Sequence, residues 1–193
     1  MTNKIQEANL AMGVSKTFSG LNVNALRYLL PLWIAPLTGV TFRCVFAAVA
    51  FWIIGYWAKP ETASVKDKIY LFLLGAVGIY GYMFSYLMGL SKTTPVSAAI
   101  FTSMQPIWVF ILSVFFFNEK ATVMKIVGIL VGLGGALLCI STQKSDDLAS
   151  DAFSGNLFCL VSSVIYAVYL ILSNRFLKRT GPYTLMRYTF SGA

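Results

Sequence analysis

The chain has 193 residues, of which 58% are hydrophobic and 11% charged, and its mean hydropathy is +0.73. A soluble domain of this length cannot hide that much apolar surface in one core, so the composition excludes water as its main solvent. The net charge of +8 does not indicate nucleic acid, because the basic residues sit in short links beside apolar runs rather than together on a polar face.

The first predicted helix runs from about Ala8 to Leu30 and is interrupted by Lys16, Asn22, Asn24 and Arg27. A cleavable signal peptide has a short uninterrupted apolar block and a small-residue cleavage site, so this segment reads as a retained helix. Four cleaner segments follow, Pro36 to Ala58, Ile69 to Leu90, Val96 to Phe117 and Val123 to Ser141, and a sixth covers Asn156 to Leu177. At about 1.5 Å per residue, a segment of about twenty-two residues reaches about 33 Å, enough to cross the hydrocarbon layer. From Tyr183 onward the sequence reads as the start of a seventh span, inside which the chain stops. The fold class expected is therefore all-α, a multi-pass membrane helix bundle.

With a cytoplasmic N-terminus, the inside links hold Lys4, Lys59, Lys66, Lys68, Lys120, Lys125, Arg175, Lys178 and Arg179, and the outside links only Lys92 and Lys144. Nine against two is a strong positive-inside bias, and a span miscounted by one would scramble it. Cys44, Cys139 and Cys159 all fall within apolar segments and read as small packing residues. Gly75, Gly78 and Gly81 lie near one face of the third segment, and Gly128, Gly132 and Gly135 near one face of the fifth. Both sets read as surfaces where helix backbones approach closely, lipid giving helices no hydrophobic reason to associate.

Arg27-Tyr28-Leu29-Leu30 closes the first segment, with Pro36 opening the next. Arg175-Phe176-Leu177-Lys178 closes the sixth, with Pro182 soon after. The sixth segment thus restarts the pattern of the first, and after five intervening passes it enters the membrane from the opposite side, which is the topology of an inverted repeat.

The stretch SAAIFTSMQPIWVFILSVFFFNEKATVMKIVGILVGLGGALL, with Pro106, Glu119, Gly128 and Gly135, resembles the drug/metabolite transporter superfamily and its EamA-type permeases. SGLNVNALRYLL resembles that family's first-helix pattern, PLTGVTFR its second, and GNLFCLVSSVIYAVYLILSNRFL the opening of its second repeat. The resemblance implies a ten-helix carrier of two inverted five-helix repeats, which moves a small metabolite or drug across the inner or plasma membrane. On that pattern residues 8–142 are the first repeat and 152–193 the start of the second, truncated after its first helix and the stub of the next. A homodimer is one way to replace the missing helices.

Ionisable groups at membrane depth cost roughly 2.5–3.5 kcal/mol on insertion scales, so each needs a partner, a cavity or an escape to the interface. Lys16, two turns into its helix, either snorkels to the surface or faces a cavity; Arg27, near the helix end, reads as an anchor. Arg43 lies about two turns past Pro36, where it serves a structural pair or a substrate. Lys16, Asn24 and Arg27 fall near one stripe of the first helix, whereas Asn22 points elsewhere. Gln105-Pro106 sits mid-span, where proline bends the axis and Gln105 either satisfies the freed carbonyl or binds substrate. Tyr80, Tyr82, Tyr86, Tyr166 and Tyr169 add hydroxyls on aromatic bodies, mostly for packing. Glu119, before the fifth segment, suits a helix N-terminus. The candidate substrate contacts are Lys16, Asn24, Arg43, Gln105 and Tyr166.

No phosphate-binding GxxxxGK[ST] loop is present, so direct ATP drive is unsupported, and neither cofactor nor metal is expected. With no histidine and no GxSxG setting, an intramembrane enzyme is poorly supported. No carboxylate lies deep in a span, which favours a neutral, zwitterionic or anionic cargo over a lipophilic cation. The expected function is secondary transport by alternating access; the rival is a non-conducting membrane assembly or regulatory subunit that uses its glycine faces to bind partner helices.

Overall fold

The computed structural model describes residues 2–30, 33–57, 61, 63–117, 122–141 and 151–193, and the secondary structure of these residues is helical throughout. The helices are α1 (Thr2–Leu29), α2 (Pro36–Trp57), α3 (Val65–Lys92), α4 (Pro95–Ser103), α5 (Gln105–Phe117), α6 (Val123–Ser141), α7 (Ala152–Thr180) and α8 (Pro182–Gly192). Four stretches are long and apolar enough to cross a bilayer: α2, α3, the α4–α5 pair and α7. α6 carries a shorter apolar run, Val123–Gly135, and α1 keeps the polar interruptions visible in its sequence.

Local sequence sets the ends. The Thr94 hydroxyl caps α4 by accepting from the Ser97 N–H, with Pro95 at the first helical position, where a missing N–H costs nothing. Asp151 caps α7 through the Ser154 N–H at 3.2 Å. Gly181, at φ +84°, turns the chain from α7 into α8 through a conformation that side-chain-bearing residues avoid. As the Gln105-Pro106 pair leads one to expect, the fourth span is interrupted: α4 stops at Ser103, Met104 makes a turn, and α5 restarts at Gln105.

α3 and α7 form the spine. They run antiparallel, from the Thr93 hydroxyl donating to the Asn156 side-chain oxygen at 2.6 Å, through Gly89 against Cys159 and Gly78 against Tyr169, to the Arg179–Asp67 ion pair at 3.3 Å. A Cβ on Gly78 or Gly89 would overlap the facing helix, so these glycines set the interaxial distance. Gly75–Tyr80 widens into a π turn, unanticipated from the sequence, where a Cβ on Gly75 would meet the Thr189 carbonyl of α8. On α6 the expected glycine face is largely open among the described residues: Gly132 approaches Ile107, and nothing lies near Gly128 or Gly135.

α8 lies against α2 and α3. Phe190 stacks on Phe51, the Trp52 indole donates to the Ser191 hydroxyl, and the Arg187 guanidinium sits 4.8 Å from the Trp52 ring. The Glu61 carboxylate, from the link between α2 and α3, accepts from the Thr184 N–H at 2.7 Å and the Tyr183 N–H at 3.4 Å, closing the N-terminus of α8. Thus Glu61, Asp67, Arg179 and Gly181 share one end of the bundle, while Thr93, Asp151 and Gly155 share the other. That is the relative sidedness the lysine alternation predicts for these links.

The exterior is apolar, with Phe42, Phe46, Trp57, Leu130 and Phe153 among its exposed side chains. The buried Ser162 and Thr189 hydroxyls bond within their own helices, to the Cys159 and Leu185 carbonyls, which satisfies them without water.

Candidate functional site

A buried cluster of Leu30, Val40, Cys44, Tyr86, Leu87, Leu90, Ala98, Phe101 and Cys159 joins α1, α2, α3, α4 and α7. Beside it a cavity of about 360 Å³ opens between α1, α2, α3 and α4. α1 contributes Ser19, Gly20, Asn22, Val23 and Leu26, in which Ser19, Asn22, Val23 and Leu26 keep the i, i+3, i+4, i+7 spacing of one helix face. α2 contributes Arg43, α3 contributes Tyr82 and Tyr86 one turn apart, and α4 contributes Ala99, Thr102 and Ser103. Tyr82 stands ten residues before Lys92, about 15 Å along the axis, close to the middle of a hydrocarbon layer about 30 Å thick.

The electrostatics are one-sided. Arg43 shares the wall with the hydroxyls of Tyr82 and Tyr86, and among the described residues no acidic side chain lines the cavity. The Gln105 amide is presented to the Tyr82 hydroxyl and the Thr102 hydroxyl to that of Tyr86. Behind Tyr82 the Tyr166 ring lies at 4.5 Å between centroids, followed by Tyr169 at 5.9 Å from Tyr166, while Tyr86 stacks on Tyr82 at 6.1 Å. A cation desolvated by lipid, with phenols, amides and hydroxyls around it, is suited to hold a carboxylate and the flat body of a small molecule.

Three of the five candidate contacts come together here: Arg43 on the wall, and Gln105 and Tyr166 against Tyr82. Asn24 does not line the cavity; it is exposed and its amide donates to the Gly20 carbonyl of its own helix. Asn22 occupies the wall in its place. The side chain of Lys16 lies outside the described residues, as does that of Arg27, and so does Glu119 altogether. The backbone of Lys16 stands three and four residues before Ser19 and Gly20, the spacing of neighbours on one helix face. The α1 stripe was available in the sequence as Ser19-x-x-Asn22-Val23-x-x-Leu26, but its direction is fixed only by what α3 and α4 present to it.

Residues 8–141 match the EamA-like transporter family. The chain is 26% identical over 175 residues to YyaM of Bacillus subtilis, an uncharacterized transporter, covering 89% of this chain and 57% of that protein. It is 27% identical over 105 residues to YddG of Ancylobacter novellus, an aromatic amino acid exporter, covering 54% of this chain and 37% of that one. A protein of known crystal structure shares the fold, with a TM-score of 0.57 at 18% identity over 92% of this chain and 64% of its own. The chain thus spans under two thirds of each of these proteins, and within that length it belongs to the EamA-like transporter family.

Proposed function

We propose that this chain forms the first repeat and the opening of the second in a secondary carrier. It moves a small carboxylate-bearing metabolite, zwitterionic or anionic, by alternating access across the inner or plasma membrane, with its N-terminus in the cytoplasm. The observation that carries the reading is Arg43, a cation on a cavity wall within an apolar helix, where no acidic side chain lines the cavity among the described residues. The substrate carboxylate takes the place of the missing counter-ion. The rings of Tyr82, Tyr86 and Tyr166 receive an apolar or aromatic body, and Asn22, Thr102 and Gln105 read the remaining polar groups. The name of the Ancylobacter novellus relative supports an aromatic amino acid as the first candidate. The inverted repeat is supported by the packing of α2 against α8, the two helices that follow the repeated openings. They run antiparallel, with Phe51 on Phe190 and Trp52 on Ser191.

Proteoliposomes carrying the full chain and loaded with radiolabelled L-phenylalanine test this reading. Replacing a charged hydrogen-bonding partner costs roughly 1.5–3 kcal/mol, so Arg43→Gln is expected to slow exchange about 10- to 100-fold, with partial recovery in Arg43→Lys. 3-Phenylpropionate, which keeps the carboxylate, competes; phenethylamine, which keeps only the amine, does not. Wild-type rates in Arg43→Gln, or equal competition by the amine, refute the assignment, and absence of any flux favours the non-conducting subunit.

A further inference from the structure

Between α5 and α7, towards the end that holds Glu61 and Asp67, lies a second cavity of about 560 Å³, lined by Val109, Ser113, Leu170, Ile171, Asn174, Arg175 and Lys178. Rows of residues on its two helices lead back toward Tyr82. On α5, Gln105, Val109 and Ser113 follow at intervals of four residues; on α7, Tyr166, Leu170, Asn174 and Lys178 do the same. Both rows start at side chains set against Tyr82. From Tyr166 to Lys178 the row covers about 18 Å, which takes it from mid-membrane to the helix end. Along it the lining changes from aromatic to aliphatic, then to amide and hydroxyl, and finally to two cations.

The charges at the mouth differ from their neighbour. Arg179 is committed to Asp67, whereas Arg175 and Lys178 line the cavity together, and among the described residues no acidic side chain lines it. A cleft with low-dielectric walls and one sign of charge concentrates the opposite ion.

We infer that the α5–α7 cleft is a second, carboxylate-selective subsite, in which Arg175 and Lys178 receive the substrate as it passes between the Tyr82 site and this end of the membrane. This rests on the carrier reading above but makes a separate claim, that the path leaves the tyrosine site along α5 and α7.

A cysteine reporter separates the two. In full-length protein whose Cys44, Cys139 and Cys159 are replaced by alanine, Ser113→Cys is labelled with a negatively charged and a positively charged methanethiosulfonate reagent of similar size. The anionic reagent is expected to react faster, by roughly 5-fold for each basic side chain near the surface. Arg175→Gln with Lys178→Gln removes that preference, and Arg175→Lys with Lys178→Arg retains it. L-Phenylalanine at saturating concentration slows the labelling, whereas phenethylamine does not. Elution of the reporter as a single monodisperse species in detergent, at the volume of its cysteine-free parent, shows that it is folded. Equal labelling by both reagents, or anionic preference without protection by phenylalanine, overturns the subsite. Loss of phenylalanine exchange in the cysteine-free parent and the wild type alike overturns the carrier reading, and the subsite with it.

Discussion

Glu61→Ala removes the carboxylate that closes the N-terminus of α8, and its cost can be worked from the geometry. The Thr184 N–H donates at 2.7 Å, a charge-assisted bond, while the Tyr183 N–H at 3.4 Å is at the outer limit of a useful one. Replacing a capping acceptor by alanine costs about 0.5–2 kcal/mol, and the charge on Glu61 places this cap in the upper half, at about 1–2 kcal/mol. Such a loss multiplies the population of the opened helix start roughly 5- to 30-fold. Hydrogen exchange of a peptide covering Tyr183 to Leu185, measured in nanodiscs, reads that factor directly. Gly181→Ala supplies the second leg of a cycle. Its φ of 84° and ψ of 162° belong to a region nearly confined to glycine, costing about 1–3 kcal/mol for alanine, and the added Cβ would overlap the Glu61 carboxylate. In the Glu61→Ala background the overlap is relieved and only the backbone strain remains, so the two effects combine to less than their sum, by about 1 kcal/mol. Exchange unchanged within about twofold in Glu61→Ala, or additive effects in the double variant, refutes the capping argument.

Other outcomes follow from particular contacts. Gly89→Val drives a side chain into the Cys159 and Gly155 backbone and should lower stability by about 1–3 kcal/mol, seen as a reduced Tm in detergent. Gly128→Val, with nothing within 4 Å of its Cβ position, should leave Tm unchanged. Asn22→Ala should slow phenylalanine exchange several-fold more than Asn24→Ala, since Asn22 lines the cavity and Asn24 bonds to Gly20; the reverse order would redirect the α1 face. The Ser154 hydroxyl and N–H hold the Asp151 carboxyl below its ordinary value of 3.8, because both favour the charged form. A depressed folded value means the cap on α7 is fully present above pH 3.8 and is lost only as pH falls through the lower folded value. Exchange at the start of α7, corrected for intrinsic rate, should therefore be flat between pH 5 and 8.

The existence of the long apolar helices was legible because lipid leaves the chain little choice, but their ends were not: α3 starts at Val65 rather than Ile69 and α7 runs from Ala152 to Thr180 rather than from Asn156 to Leu177, the flanking lysines being carried on the helices themselves. Sidedness was legible for the same reason, and Asp67 meeting Arg179 joins two links that the charge alternation places together. The distance of Arg43 past Pro36 marked it as a candidate, and it lines the cavity. The face of α1 was not. Its charges, Lys16 and Arg27, suggest a stripe through Asn24, but the cavity is addressed by Ser19, Asn22, Val23 and Leu26, because Tyr82, Tyr86 and Thr102 stand opposite them. Arg187 was hidden in the same way. Its place over Trp52 and against Gly55 depends on residues over 130 positions away, and no local pattern in PYTLMRYTFSG announces it. The π turn at Gly75–Tyr80 likewise accompanies the close approach of Thr189 from α8.

The position of the cavity relative to the Glu61 cap bears on how a carrier built this way would cycle. The α4 wall, Ala99 to Ser103, starts six residues after Thr93, so the Arg43 cavity extends from the level of Tyr82 toward the Thr93 end of the bundle. At the other end Glu61 and Asp67 tie the α2–α3 link to the α7–α8 link. The cap contributes about 1–2 kcal/mol. The Asp67–Arg179 pair adds no more than about 1 kcal/mol, because the Arg179 side chain is 69% exposed and water screens it. A fastening worth about 1–3 kcal/mol in all leaves an open form populated at between about 0.6% and about 15%. A carboxylate bound at Arg43 can repay a difference of that size through one charge-assisted contact made better in the open form than in the closed one. On the carrier reading proposed above, a latch several times stronger would hold the closed form against any small substrate and a much weaker one would leave both ends loose, so contacts of this modest strength are compatible with the exchange that reading calls for.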